Sequence, residues 1–250
     1  MVTYQPKSCS ASLPAFVLCL HSFVSQAASE SYVFLAGASR GVGREIARCL
    51  VEQGIKVKAL LRSEAARPEV EAMGIEVVLG DALNLTEVEQ AMQGNPIQAV
   101  ISTIGGLPKD GERADYLGNK NLVDAAVKAG VQKFILVSSI GSGDSIVALS
   151  PQALETLKPV LIEKEKAEQH LIESGLAYTI IRPGGLKSEP ATGNAVLTED
   201  PKVLGMIHRA DVANLVCQCL QSDRANNKIL SAIDRQMLFV PLEFTEFALN

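Results

Sequence analysis

Tryptophan is absent from this 250-residue chain, and aromatic residues of every kind make up 4% of it. A protein that grips single-stranded nucleic acid needs aromatic faces for the bases to stack on, and few are available. Clustered positive charge is missing as well: 23 Lys and Arg stand against 28 Asp and Glu, a net charge of −5, with no basic run. A nucleic-acid partner is therefore not expected. No uninterrupted apolar stretch reaches the ~20 residues a bilayer demands, so no transmembrane span is expected. The five cysteines (Cys9, Cys19, Cys49, Cys217, Cys219) show no metal-ligand spacing. They read as free thiols in a reducing compartment, and no metal site is expected. What remains, with 47% hydrophobic and 20% charged residues, is the composition of a globular protein.

The first thirty residues stand apart. They hold one lysine, no arginine and no acid before Glu30, and an apolar stretch, "SLPAFVLCLHSFVSQAA", interrupted by Pro14 and His21. A signal peptide, an organelle transit peptide and an extension outside the fold are the three readings. The segment 1–30 is set aside from the domain, with a cytoplasmic location expected, or the plastid stroma if it is a transit peptide.

From Tyr32 onward, short apolar runs alternate with amphipathic stretches. "YVFLAG", "KVKALLR", "IEVVLGD", "IQAVISTIGG", "QKFILVSS", "AYTIIRPGG" and "KILSAI" read as strands. "GREIARCLVEQG", "LTEVEQAMQG", "DYLGNKNLVDAAVKAG", residues 158–175 and "HRADVANLVCQCLQS" read as helices, with a further short helix broken by Pro68. Strands apolar throughout, separated by helices, predict an α/β fold: one doubly wound domain over 31–235, its parallel sheet covered on both faces. The segments 105–113 and 187–203 read as polar loops on the substrate side, and 236–250 as an apolar tail. That tail suits a partner or a second subunit of a homodimer, although packing on its own core is the simpler account.

The strongest local signal is "FLAGASRGVGREIA", residues 34–47, at the junction of the first strand and first helix. A dinucleotide needs a tight turn there, a close backbone approach to its pyrophosphate, and free N–H groups at a helix N-terminus. Gly37, Ser39, Arg40, Gly41, Val42 and Gly43 are the candidate contacts. The Gly-x-x-x-Gly-x-Gly spacing resembles the nucleotide loop of the short-chain dehydrogenase/reductase family. "GD" at Gly80 and Asp81, followed by Ala82, looks like that family's adenine contact, and "VSS" at 137–139 like its active-site serine strand. "SGLAYTIIRPGGL" and "IHRADVA" are similar to segments of its atypical NmrA-like, NAD(P)-binding branch. The resemblance covers residues 32 to about 235 and implies a Rossmann-type fold and a nicotinamide cofactor.

Charge argues for the phosphorylated form of that cofactor. An NAD-preferring fold places a carboxylate at the end of the second strand to bond the ribose 2′-hydroxyl. Here Arg62 and Ser63 stand in its place, with Arg40 inside the glycine loop, so a 2′-phosphate is suited and NADP(H) is expected over NAD(H). Thr103 and Gly105 at the end of the fourth strand, Ser138 after the fifth, and Pro183 and Gly184 after the sixth are further candidate cofactor contacts.

On a helical wheel of residues 158–175, Val160, Leu161, Ala167 and Leu171 share one stripe, with Lys164 near its middle and Lys158 and Lys166 opposite. A lysine there either snorkels to water or meets something polar. The family resemblance assigns it the nicotinamide ribose and implies a tyrosine four residues earlier as proton donor, with Ser139 orienting the substrate oxygen. Val160 occupies the tyrosine's position, so the usual acid is missing. Of the four tyrosines, Tyr116 is the one remaining candidate, with local packing on its helix as the alternative. His170 reads as solvated and His208 as part of the last long helix. Catalytic candidates are therefore Ser139, Lys164 and Tyr116. Two functions compete: an NADPH-dependent oxidoreductase acting on a quinone-like or conjugated small-molecule acceptor, and a catalytically weak NADP(H) sensor or scaffold that docks a redox protein.

Overall fold

The computed structural model describes residues 1–3, 31–106 and 113–250. The expectations for residues 4–30, and for most of the 105–113 loop, fall outside the described residues. The chain forms a single α/β domain around an eight-stranded sheet. Its first half runs β1 (Tyr32–Ala36), α1 (Gly41–Glu52), β2 (Val57–Leu61), α2 (Arg67–Glu71), β3 (Glu76–Leu79), α3 (Leu85–Ala91), β4 (Ile97–Ser102) and α4 (Leu117–Lys128). Then come β5 (Lys133–Val137), α5 (Pro151–Glu173), β6 (Ala177–Pro183), β7 (Gly185–Lys187), β8 (Ala195–Thr198), β9 (Met206–His208), α6 (Arg209–Gln221) and β10 (Lys228–Asp234).

The strand order is β3-β2-β1-β4-β5-β6-β10-β8, parallel except for β8 against β10. Side chains alternate across a strand, so apolar runs feed two cores at once. Val33 and Leu35 of β1 face Ile46, Leu50, Val212 and Val216 of α1 and α6. Phe34 and Ala36 face the other way, with Val88, Leu122 and Leu171 of α3, α4 and α5. Val42, buried at the start of α1, belongs to the first of these cores and not to an open loop surface.

Several expectations change. The helix expected over 158–175 begins at Pro151, where Ser150 Oγ accepts the Ala153 N–H at 3.3 Å and a proline opens the first turn. Pro159 lies inside it. Pro68 does not break a helix: it occupies the first turn of α2, where its missing N–H costs nothing. The stretch 187–203 is not all loop, because β8 forms the antiparallel edge and β7 pairs with β9 in a second small sheet. The tail returns along β8: Phe247 N–H donates to Leu197 O at 2.7 Å, and Thr198 Oγ1 to Thr245 O at 2.7 Å. Phe247 and Leu249 pack on the core beside α6.

A buried lysine joins the two halves. Lys133 Nζ reaches from β5 to the last turn of α6, donating to Cys219 O at 2.6 Å and Ser222 O at 2.9 Å. It adds a strong donor to carbonyls at the helix C-terminus, where the ladder of the helix runs out, and its burial lowers its pKa.

Candidate functional site

Reading outward from β1, the strand order proceeds one way through β2 and β3 and the other way through β4 and β5, which opens a crevice at the carboxyl ends of β1 and β4. Ala36 and Ser102 are register partners there, so Gly37 and Thr103 leave the sheet side by side. Thr103 Oγ1 donates to Ala36 O at 3.2 Å. Gly37 has φ +103°, and a Cβ on it would collide with Thr103 Oγ1. A Cβ on Gly43 would strike the Gly37 carbonyl, so α1 starts tight against the loop. The first N–H groups of α1 have no acceptor within the helix, and no acid stands in its first turn. This cradle of glycines and free N–H groups fits a pyrophosphate.

On the other side of the crevice Lys164 Nζ stands 3.5 Å from Oδ1 of Asp115, which is fully buried just before α4. Asp115 Oδ2 accepts the Gly106 N–H and Arg113 Nε, each at 3.2 Å, whereas Oδ1 accepts no hydrogen bond. Gly105, at φ +154°, makes the approach feasible, since a Cβ there would collide with Asp115 Oδ1. The ion pair therefore holds the ammonium against the backbone that leaves β4.

One turn beyond Lys164, Glu168 is buried and takes Arg182 of β6 in a two-point contact, at 2.7 and 3.2 Å. Ser138 Oγ donates to Glu168, and Arg182 also bonds Asp144 in the loop after β5. Ser138 is thus engaged in a structural network. Ser139 is half-buried, its hydroxyl donating to Ile140 O at 3.0 Å. Tyr116 is half-buried and belongs to the core around α4, its ring 5.7 Å from Lys166 Nζ. Lys166 accordingly lies over an aromatic face as well as pairing with Glu163 at 2.8 Å. His170, expected in solvent, sits between two helices with Nε2 2.7 Å from Asp124 Oδ1. Lys120 and His170 hold the Asp124 carboxyl below the usual range against the opposing effect of burial.

The side of the glycine loop expected to meet the adenine is more open. Arg40 caps α1 without a side-chain bond, and Arg40, Arg62 and Ser63 are exposed. Neither arginine is paired with a carboxylate among the described residues. Ser63 Oγ accepts the Ala65 N–H at 3.3 Å, capping a short turn. Asp81 Oδ1 accepts the Leu83 N–H at 3.0 Å, and Asn121 Nδ2 fixes the Ala82 carbonyl at 2.9 Å, so α4 shapes this loop. Beyond β6, Pro183 O accepts the Ile140 N–H at 3.0 Å, and Gly184 is a glycine because a Cβ would hit Gly205 O. Ser39 is half-buried within the glycine loop.

The crevice thus gathers the glycine loop, Thr103, Gly105 and Lys164. Asp115 and Glu168 were missing from the sequence reading. A signal existed for Glu168, which shares the apolar stripe with Lys164, but none for Asp115, which reads as an ordinary acid near a helix start.

Residues 37–223 match a family described as NAD(P)H-binding. Sanguinarine reductase of Eschscholzia californica is 32% identical over 241 residues, covering 78% of this chain and 86% of that protein. An uncharacterized chloroplastic protein of Arabidopsis thaliana is 35% identical over 214 residues, 81% of this chain and 76% of its own. Among solved structures, ChuY, described as an anaerobilin reductase of Escherichia coli O157:H7, superposes with a TM-score of 0.76 at 32% identity, covering 85% of this chain and all of that one.

Proposed function

The chain belongs to the NAD(P)H-binding family within the short-chain dehydrogenase/reductase superfamily, of the atypical NmrA-like kind, and from that premise we propose that it is an NADPH-dependent oxidoreductase acting on a quinone-like or conjugated-carbonyl acceptor. The observation that carries this reading is the ammonium of Lys164, fixed by a buried carboxylate at the crevice where β4 ends. Two relatives described as reductases support it.

Lys164 holds the ribose hydroxyls on the nicotinamide side, and the glycine loop holds the pyrophosphate with backbone N–H groups. Arg62 and Arg40, paired with no carboxylate among the described residues, meet a 2′-phosphate. When bound, the cofactor supplies a hydride. The chain's own task is positioning and charge stabilisation. Val160 has no proton to give, and the Tyr116 ring rests against Lys166. That leaves Ser139 or water to protonate the product. An acceptor whose anion is delocalised over a ring or enone demands least of so weak an acid. The chloroplastic relative supports the plastid stroma over the cytoplasm.

A second reading, a catalytically weak NADP(H) sensor or scaffold, is favoured by Val160 and by the placement of Tyr116. Titration of NADPH and NADH into the wild type and the Arg40→Ala/Arg62→Ala variant tests the cofactor part. Loss of a charge-assisted contact at ~1.5–3 kcal/mol should weaken NADPH by about tenfold or more and leave NADH unchanged. Unchanged relative affinities would refute it.

A further inference from the structure

We infer that Arg209 is a pyrophosphate-binding residue that also ties the phosphate loop to the substrate-side segment 186–188. This rests on the reading that a dinucleotide occupies the glycine loop. Helices α1 and α6 lie on the same face of the sheet and share one core. Helix α1 follows β1 of the main sheet and α6 follows β9 of the small one, and Arg209 opens α6 as Gly41 opens α1. The Arg209 side chain turns toward the glycine loop. Its Nη1 donates to Ser188 Oγ at 2.7 Å and lies 3.4 Å from Leu186 O. Its Nε lies 3.8 Å from the point a Cβ on Gly41 would occupy, and, chain neighbours and the helix's own backbone aside, no other atom of the described residues comes within 4 Å of that point.

The charges around it are unbalanced. The guanidiniums inside α1 have carboxylates, Arg44 with Glu69 and Arg48 with Glu45, whereas Arg40 at its N-cap has none among the described residues. Arg209 has none among the described residues. The nearest acid on its own helix, Asp211, is committed to the N–H groups of Thr192 and Gly193, at 2.8 and 3.1 Å. Facing it is the N-terminus of α1, which carries partial positive charge and has no acid in its first turn. A guanidinium held against the positive end of a helix is unfavourable unless an anion lies between them. The open space over Gly41 is where that anion fits, and a phosphate can bond the helix N–H groups and the guanidinium together.

Arg209 then does two things with one planar group. It neutralises the pyrophosphate, and through Ser188 and Leu186 it fixes the strand β7 segment that borders the substrate side. Because pyrophosphate is common to both dinucleotides, Arg209 binds them without discrimination, unlike Arg62.

Dissociation constants for NADPH and NADH, measured by calorimetry on the wild type, Arg209→Ala, Arg209→Lys and Arg62→Ala, test this. Arg209→Ala should weaken both dinucleotides by the same factor, about tenfold. Arg209→Lys should recover part of that loss, and Arg62→Ala should weaken NADPH alone. Thermal unfolding without nucleotide should place Arg209→Ala close to the wild type, while the upward shift that NADPH causes should shrink. Wild-type affinity for both dinucleotides in Arg209→Ala would overturn the inference. So would a loss confined to NADPH, which would put the guanidinium on the 2′-phosphate. A wild type that binds neither dinucleotide would instead remove the cofactor reading on which the inference rests.

Discussion

Lys164 and Asp115 meet at 3.5 Å across the crevice, one from α5 and the other from the turn before α4, with the Gly105 backbone beneath them. The carboxylate has no exposed surface, and the lysine keeps a small part of its side chain open to solvent. A buried charge needs partners, and Asp115 has Lys164, Arg113 and the Gly106 N–H. The lysine is thereby fixed in place before any ligand arrives.

The two partners should fail differently. Lys164→Met leaves Asp115 Oδ2 with Arg113 and Gly106 but takes the ion-pair partner of Oδ1, so it should cost about 1 kcal/mol, less than loss of the carboxylate, while NADPH affinity falls by about tenfold. Asp115→Ala leaves two cations without their carboxylate and a backbone N–H unbonded, at a cost of roughly 3 kcal/mol in urea unfolding. Equal stability losses in the two variants would count against this division of roles.

Gly43 and Gly54 separate steric from conformational requirements. A Cβ at Gly43 would strike the Gly37 carbonyl, so Gly43→Ala should cost several kcal/mol, on the order of other overpacked sites, and abolish nucleotide binding. Gly54, at φ +73°, has nothing within 4 Å. There Ala meets only backbone strain of about 1–2 kcal/mol, with binding intact. Chemical denaturation beside nucleotide titration distinguishes the two.

The Ser138–Glu168–Arg182 cluster behaves as a unit. Glu168→Ala strands a buried guanidinium and should cost ~3–5 kcal/mol, whereas Glu168→Leu with Arg182→Met removes both charges and should cost clearly less. A double-mutant cycle in urea measures the coupling. Additive losses would show that the pair acts independently.

Lys133 gives stability an alkaline slope. Burial lowers its folded pKa from 10.5, so the unfolded chain holds more protons between that lowered value and 10.5. Stability contributed by this site therefore rises as pH climbs through the window. Lys133→Met lacks the titration. Comparing urea unfolding at about pH 8 and about pH 10, the wild type should gain on the variant. A constant difference would contradict the assignment.

The sheet and its crevice could be read from the sequence because local signals and tertiary structure agree there. Apolar strands buried on both faces are apolar throughout, and Gly37, Gly41 and Gly43 stand between a strand and a helix. The start of α5 was visible in Ser150 and Pro151 but was masked by the more strongly charged stretch after Lys158. The strands β7 and β9, three residues each, are too short to show a period. Asp115 is different in kind: its burial follows from the φ of Gly105 and the reach of Lys164 from a distant helix. His170 similarly depends on Asp124, 46 residues away. No local pattern contains either relationship.

The central claim, hydride transfer from NADPH positioned by Lys164, is tested most directly by NADPH oxidation against a panel of quinones, enones and aldehydes, with Lys164→Ala alongside. The account predicts turnover on the conjugated acceptors, weak or none on simple aldehydes, and strong loss in the lysine variant at saturating NADPH. Tight NADPH binding with no turnover on any acceptor would contradict it and favour the sensor.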